Sequence, residues 1–459
     1  MEQFDVAIVG GGPGGYVAAI RAAKSGLTVA LIEGNELGGT CLNRGCIPSK
    51  TLLKHAEVLK QIKDSSALAI HVENVSVDLA TMIERKNNVI NQLKNGIKGL
   101  LRQNKIKYYQ GYGYVADDGK VTIKSEKSNE NIQAKHVILA TGSQVFIPPI
   151  QGAQEVTMYT SDTIFDIEEI PERLVIVGGG VIGLEIACIF NSLGTKVDIV
   201  EMAERILPME DREAGEFLKK ELENDGITFH IDAQVTEFKK TETDNKVIFH
   251  KDGKEITLET DIILMSVGRR PNVTGIEDLT IQFDGPFVKV DKNMQTSQPN
   301  IYAVGDLIGG FQLAHAASNE GIRAVDHILG NENKKNAIIP HCVYTFPEIA
   351  SVGFTEEQAK EAGHQVKVKK IDLAGNGKAI SALENKGFMK IIADKKYNEV
   401  LGVVMVGAHV TEMISQATAF MHLEGTVEEI ESMVFPHPTL AEGLFEAASA
   451  YLGKGIHYN

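Results

Sequence analysis

Hydrophobic positions follow two rhythms along this chain: short, near-continuous apolar runs, as in buried strands, and i, i+3, i+4 spacings, as in amphipathic helices. Residues 4 to 33 read as strand (FDVAIVG), Gly-rich turn (GGPGG), helix (YVAAIRAAKSG) and strand (LTVALIE), a compact βαβ unit. Residues 51 to about 105 carry helical periodicity with Lys, Asn and Gln on the polar faces. Residues 106 to 140 alternate as short strands around turns such as ADDGK and end in HVILATGS. The proline cluster IPPI at 147–150 marks a linker, after which 173–201 repeat the opening as RLVIVG, GGVIG, LEIACIFNSLG and TKVDIVE. An amphipathic helix and alternating strands with DG turns fill 215–270, ending in DIILMSVGRRPN. A strand in TSQPNIYAVGDLIGG follows at 296–310, and the chain beyond Pro340 reads as a separate region of strands and helices. This alternation predicts an α/β protein with segments 1–147, 148–270, 271–339 and 340–459, the third completing the first domain.

Composition removes several classes of function. The 459 residues exceed what one hydrophobic core organises, so about three domains are expected. Hydrophobic content of 43% and charged content of 23% are ordinary globular values and argue against a disordered or fibrous chain. No apolar run approaches the roughly 18 residues that cross a bilayer, and the N-terminus enters a strand without a signal-peptide pattern. A cytoplasmic protein with no membrane partner is expected. The net charge of −15, without a sustained Lys/Arg run, speaks against nucleic acid.

Four cysteines are too few for a secreted disulfide framework, and two of them, Cys41 and Cys46, share the stretch GGTCLNRGCIPSK. Five positions of regular helix rise about 7.5 Å, beyond the roughly 4.4–6.8 Å Cα separation of a disulfide. Bonding them requires a break in the helix, which Gly45 and Pro48 permit. The stretch reads as a redox centre; the alternatives are two buried cysteines or half a metal site, and no metal is expected because further Cys/His partners are missing nearby. Cys188, on the apolar face of a helix, and Cys342, in a strand, read as buried packing.

Gly10, Gly12 and Gly15 fit G-x-G-x-x-G where the first strand opens into its helix, and Glu33 closes the unit where a carboxylate reaches ribose hydroxyls. Adding 168 carries Gly10, Gly12, Gly15, Gly26 and Glu33 onto Gly178, Gly180, Gly183, Gly194 and Glu201. Two such units imply two dinucleotides, flavin adenine dinucleotide (FAD) beside the cysteine pair and a nicotinamide cofactor at the second. Glu201 would repel a 2′-phosphate, and only Arg205 lies close downstream, so NAD is expected over NADP. Thr141 and Gly142 end a strand, either where backbone passes close to a cofactor or in an ordinary turn, and Gly268, after a strand of the second unit, is a candidate residue of the nicotinamide site. Asp306, at a strand end, reads either as a group for a polyol or as a helix N-cap. His437, between prolines, and Glu442 five positions on can form an oriented imidazole.

Together these residues resemble the pyridine-nucleotide disulfide oxidoreductases over essentially the whole chain. GGTCLNRGCIPSK looks like that family's active disulfide, TSQPNIYAVGD like its second flavin fingerprint, PHCVYTFPEIASVG like the start of its interface domain and HPTLAE like its base. The resemblance implies two Rossmann-like FAD/NAD(P)-binding domains (1–147 with 271–339 for FAD, 148–270 for NAD) and a C-terminal α/β dimerisation domain (340–459). It implies that Cys41 meets substrate, Cys46 meets the flavin, Lys50 sits by the flavin and pairs with Glu185, and Asp306 holds the flavin's polyol. It further implies a homodimer in which His437 and Glu442 serve the partner's disulfide. The substrate would be dihydrolipoamide on lipoyl domains of an acyltransferase or a glycine-cleavage carrier protein. Ala316 in LAHAASNEG departs from relatives that carry Lys there. Glutathione-type members resemble CVPKK rather than CIPSK, and the vicinal C-terminal cysteines of mercuric reductases are not in this sequence.

Overall fold

The computed structural model describes residues 1–126, 129–331 and 336–458. Strand β1 (Glu2–Val9) has Val6 and Ile8 on one face and Ala7 and Val9 on the other, each in a different apolar cluster. Burial on both faces is why its sequence is apolar without alternation. Helix α1 (Pro13–Lys24) starts with proline in its first turn, where a missing N–H costs nothing, and leads into β2 (Val29–Glu33). The cysteine stretch forms two helices, α2 (Gly39–Arg44) and α3 (Cys46–Asp64). The helical periodicity of 51–105 resolves into α3 and α4 (Leu79–Gln103), separated by an exposed connection. Asp78 ends that connection by accepting the Thr81 N–H as the N-cap of α4.

Strands β3 (Lys107–Gln110), β4 (Tyr112–Val115), β5 (Lys120–Lys124) and β6 (Asn129–Leu139) complete most of the first sheet, in the order β3-β2-β1-β6-β5-β4. The start of β6 pairs antiparallel with β5, while its end pairs parallel with a much later strand. The chain then leaves by β7 (Ser143–Val145) for β8 (Met158–Thr160), β9 (Arg173–Val177), α5 (Val181–Ser192), β10 (Lys196–Val200), α6 (Arg212–Asn224) and β11 (Thr228–His230). A meander of β12 (Gln234–Lys240), β13 (Asn245–Lys251) and β14 (Lys254–Thr260) precedes β15 (Ile262–Met265). The second parallel sheet has the order β11-β10-β9-β15-β8. The return passes through β16 (Arg269–Pro271), paired with β7, then β17 (Phe283–Asp284), β18 (Phe287–Val288) and β19 (Ile301–Ala303). Strand β19 is the late partner of β6, and α7 (Ala314–Ile328) follows it to pack on α1. That contact is close because two glycines meet: a Cβ on Gly321 would lie 2.4 Å from the Gly14 carbonyl oxygen.

The last region is an antiparallel sheet, β20 (His341–Val343), β21 (Glu348–Gly353), β22 (Val366–Asp372), β23 (Phe388–Asp394) and β24 (Val400–Gly407), in the order β20-β21-β24-β23-β22. Helices α8 (Glu356–Glu361), α9 (Gly377–Ala382), α10 (Val410–His422), α11 (Val427–Ser432) and α12 (Glu442–Tyr451) accompany it. Charged groups fasten this region to the second sheet's domain: Lys390, 5% exposed in the middle of β23, donates to Asp211 and Glu213 at the start of α6. Glu210 beside them accepts from Ser351 and contacts His341 at 3.2 Å. Among the described residues, no helix is long and apolar enough to cross a membrane and no group of His, Cys, Asp and Glu is arranged to hold a metal ion.

Candidate active site

Gly45 separates α2 from α3 with φ −135° and ψ −109°, and this break brings the Cys41 and Cys46 Cα atoms to 4.7 Å with a disulfide between them. A Cβ at Gly45 would sit 3.1 Å from the Thr40 carbonyl oxygen and 3.3 Å from the Cys41 Cα, so the tight break suits glycine. The other two cysteines are free thiols: Cys188 is buried, and burial pushes its thiol up to about 12. Cys342 is only half-buried, less enclosed than a packing residue is expected to be, because its position at the edge strand β20 leaves it beside Tyr344. Burial pushes its thiol up to about 11.

One turn along α3 from Cys46, Lys50 donates to both oxygens of Glu185 at 2.8 and 2.9 Å, and Ser49 donates to the same carboxylate at 2.6 Å. Glu185 lies on α5, only 6% exposed, and also accepts the Tyr344 backbone N–H at 3.3 Å. The Lys50 ammonium stands 4.2 Å from the centre of the Tyr344 ring. Three regions of the chain thus converge on one buried carboxylate.

The two glycine-rich turns share one geometry. A Cβ on Gly10 would come 2.1 Å from the Ala140 oxygen and one on Gly15 would come 1.9 Å from the Gly10 oxygen. Gly178 and Gly183 repeat this at 2.6 Å from the Ser266 oxygen and 2.3 Å from the Gly178 oxygen. The middle glycines differ: the nearest atom to a Cβ on Gly12 is 3.8 Å away, and none lies within 4 Å of one on Gly180. The outer glycines therefore serve strand–helix packing while the middle one leaves open space at the helix N-terminus, the cradle a pyrophosphate requires. Glu33 accepts the N–H groups of Gly11 and Asn35, both at 2.6 Å, and Glu201 accepts those of Gly179 and Ala203 at 2.5 and 2.7 Å. Each carboxylate shapes its own turn and retains lone pairs for a ribose. Burial pushes the Glu33 carboxyl up against the pull of those two N–H groups. Arg205, the cation nearest downstream of Glu201, spends its guanidinium on the Glu210 and Pro208 carbonyls.

Asp306 lies in a short 3-10 turn (Gly305–Ile308) whose N-cap is Val304, so the capping alternative is excluded; it accepts the Ser143 hydroxyl at 2.5 Å. Arg269 donates to Ser143, to Ser161 and Asp162, and at 3.4 Å to Thr40 next to Cys41. Thr141 donates to the Asn272 carbonyl at 2.5 Å, and Gly142 and Gly268 end their strands at φ +69° and +116° with nothing within 4 Å of an added Cβ. Far along the chain, His437 Nδ1 meets Glu442 Oε1 at 2.9 Å while the ring is 79% exposed. Burial pushes the Glu442 carboxyl up, but the Thr439 N–H and His437 outweigh it and hold it below the ordinary glutamate value. An ionised carboxylate only accepts, so Nδ1 carries the hydrogen of this bond and Nε2 is left out of it.

The family model of the pyridine nucleotide-disulphide oxidoreductases matches residues 4–321, and that of their dimerisation domain matches residues 339–448. The chain belongs to the pyridine nucleotide-disulphide oxidoreductases. A dihydrolipoyl dehydrogenase of Bacillus subtilis is 41% identical, with 99% of each chain covered. One from Chlamydia muridarum is 37% identical over 99% of this chain and 98% of its own. Among solved structures, LpdA from Mycobacterium tuberculosis superposes with a TM-score of 0.90 at 27% identity, covering 98% of this chain and 99% of that one. The HOCl-induced flavoprotein disulfide reductase RclA from Escherichia coli gives 0.87 at 30% identity, covering 98% and 100%. The mixed α/β architecture is that of this disulphide oxidoreductase family. Sequence reasoning missed Arg269, which reaches Thr40 beside Cys41, and Ser49 and Tyr344, which both donate to Glu185; the pattern GRRPN carries nothing to single out its first arginine.

Proposed function

We propose that this chain is a homodimeric, cytoplasmic dihydrolipoyl dehydrogenase that oxidises protein-bound dihydrolipoamide with NAD+ through Cys41, Cys46 and FAD. Lipoyl domains of an acyltransferase or of a glycine-cleavage carrier protein are its partners in this reading. The observation that carries it is the position of the disulfide element between the two cradles. The start of α2 abuts the first, where a Cβ on Gly39 would lie 2.7 Å from the Gly12 Cα, and α3 holds Glu185 of the second cradle's helix through Ser49 and Lys50. The segments 1–147 and 271–339 are assigned to the FAD domain, 148–270 to the NAD domain and 340–459 to the dimer interface.

A substrate thiol with an ordinary pKa near 8.5 is only about 3% ionised at pH 7, so a base speeds its attack. His437 Nε2 takes that proton while Glu442 holds the ring and balances the imidazolium. The thiolate attacks Cys41 Sγ, the Cys41–Cys46 bond breaks, and Cys46 leaves as thiolate. The second substrate thiol then attacks the mixed disulfide, releasing the cyclic disulfide product and leaving both enzyme cysteines reduced. Bound FAD supplies the route by which that electron pair reaches NAD+ as hydride. Gly10, Gly12, Gly15, Glu33, Lys50, Thr141, Gly142 and Asp306 are assigned to its binding, and Gly178, Gly180, Gly183, Glu185, Glu201 and Gly268 to that of NAD.

Complementation tests the shared site. Mixing Cys41→Ser with His437→Gln chains under conditions of demonstrated subunit exchange should restore about a quarter of wild-type activity. Half the dimers are then mixed, each with one complete site, by closed two-fold symmetry. No recovery despite exchange refutes a base supplied by the partner chain.

A further inference from the structure

Helix α12 carries a second histidine–carboxylate pair. Glu446 follows Glu442 by four residues, on the same face one turn along, with Cβ atoms at such spacing about 5–6 Å apart. Its Oε1 meets His457 Nδ1 at 2.7 Å, and its Oε2 is buried with no hydrogen-bond partner among the described residues. The segment after α12 folds back to deliver His457. At Gly455 a Cβ would lie 1.8 Å from the Tyr458 carbonyl oxygen, Tyr458 packs on the apolar cluster of this region, and Lys454 pairs with Glu431. His457 remains 71% exposed and His437 79% exposed, so each imidazole is open to solvent while paired with its own carboxylate on α12.

We infer that His457 and Glu446 are a charge-setting positioning pair for the His437–Glu442 base. This rests on the assignment of His437 made above. Two carboxylates one turn apart repel, and together they would strengthen the proton's hold on His437. A proton on His457 offsets the second carboxylate and leaves Glu442 to act alone. Glu446 and, further off, Glu442 favour the protonated form of His457, which is held above the ordinary histidine value. The groups facing this pair are Glu442, His437, the Tyr458 phenol and, toward Tyr458, Asp372 at the end of β22; Lys454 is engaged by Glu431. The base thus starts as free imidazole over a wider pH range than an isolated pair with two nearby carboxylates allows.

The test is the pH profile of kcat/KM for dihydrolipoamide with FAD-loaded dimers of wild type, His457→Gln, His457→Arg and His437→Gln. Taking a separation of about 8 Å for neighbouring pairs on one helix face, the loss of one charge in a water-like dielectric moves the base by about 0.4 pH unit. The acid limb of His457→Gln should therefore rise by that amount, lowering kcat/KM about 2.5-fold well below the limb and leaving the alkaline plateau unchanged. His457→Arg, which keeps the charge, should restore the wild-type limb. Coincident limbs for wild type and His457→Gln, or an arginine variant that shifts like the glutamine one, overturn the inference. A plateau that falls in both variants with no shift marks a merely structural tail and overturns it too. His437→Gln separates the two claims: if it is inactive and the limbs coincide, only this inference fails, whereas an active His437→Gln enzyme removes the base assignment itself.

Discussion

The buried carboxylate of Glu185 makes an asymmetric prediction for the pair it forms with Lys50. Lys50→Met leaves a carboxylate that is 6% exposed with one hydroxyl and one backbone N–H as its remaining donors among the described residues. Stranding such a charge costs about 3–5 kcal/mol, and the lower figure applies because the lysine's place is about one-third open to water. Glu185→Leu removes the acceptor of the Ser49 hydroxyl and the Tyr344 N–H, about 1–3 kcal/mol for each. Its Lys50, partly exposed and already over the Tyr344 ring, turns to solvent at little further expense. The double variant has neither a stranded charge nor an ion pair, and apolar replacements of buried pairs are often neutral. It should therefore be less destabilised than the sum of the singles by about 2–3 kcal/mol. Urea unfolding of the FAD-loaded dimer at fixed protein concentration, with all four proteins in one series, measures this coupling. Additive losses within about 0.5 kcal/mol refute the view that one carboxylate joins α3, α5 and the strand end at Tyr344.

Gly12→Ala should fold normally, since its Cβ meets nothing closer than 3.8 Å, yet bind FAD at least tenfold more weakly; circular dichroism and flavin absorbance per chain check both. Gly15→Ala, whose Cβ would lie 1.9 Å from the Gly10 oxygen, should lose the fold of the cradle as well, and a Gly12→Ala protein as yellow as wild type contradicts the assignment. Glu210 makes the attachment of the last region pH-dependent: burial pushes its carboxyl up, but His341 and Ser351 outweigh this and hold it below the ordinary value. A lowered folded pKa contributes stability above the unfolded value near pH 4.3 that is lost as pH falls through the folded one. The melting temperature of wild type should therefore fall more steeply below about pH 4.3 than that of Glu210→Gln, and parallel curves refute this.

How much of this could be read beforehand depended on the distance over which each signal acts. The cradles were legible because Gly10, Gly12, Gly15 and Glu33 lie within one βαβ unit and recur 168 positions later. The cysteine spacing announced a broken helix for the same local reason, and Gly45 supplies the break. What the spacing of Glu33 and Glu201 could not disclose is that each carboxylate ties down its own turn, since a backbone N–H leaves no mark in a sequence. Lys390 is a lone charge inside the otherwise apolar run FMKIIA, and its acceptors Asp211 and Glu213 come from another domain. Arg269 gathers partners from three separate segments, and the Glu446–His457 pair depends on a chain reversal at Gly455. Such residues become visible only when tertiary structure brings distant stretches together.

The late strand β19, which pairs with β6 after roughly 160 intervening residues, also orders events during synthesis. A ribosome adding about 5–20 residues per second takes on the order of ten to thirty seconds to deliver it. During that interval β6 has its earlier neighbours β1 and β5, but the end of the strand beside Leu139 presents bare amide groups and the turn bearing Asp306 does not yet exist. The domain threaded between them has all five strands of its own sheet by Met265 and can fold first. A nascent chain stalled before residue 301 would thus hold a finished second cradle beside an open-edged first one, and the half-built sheet edge, rather than the finished enzyme, is where chaperones have reason to bind.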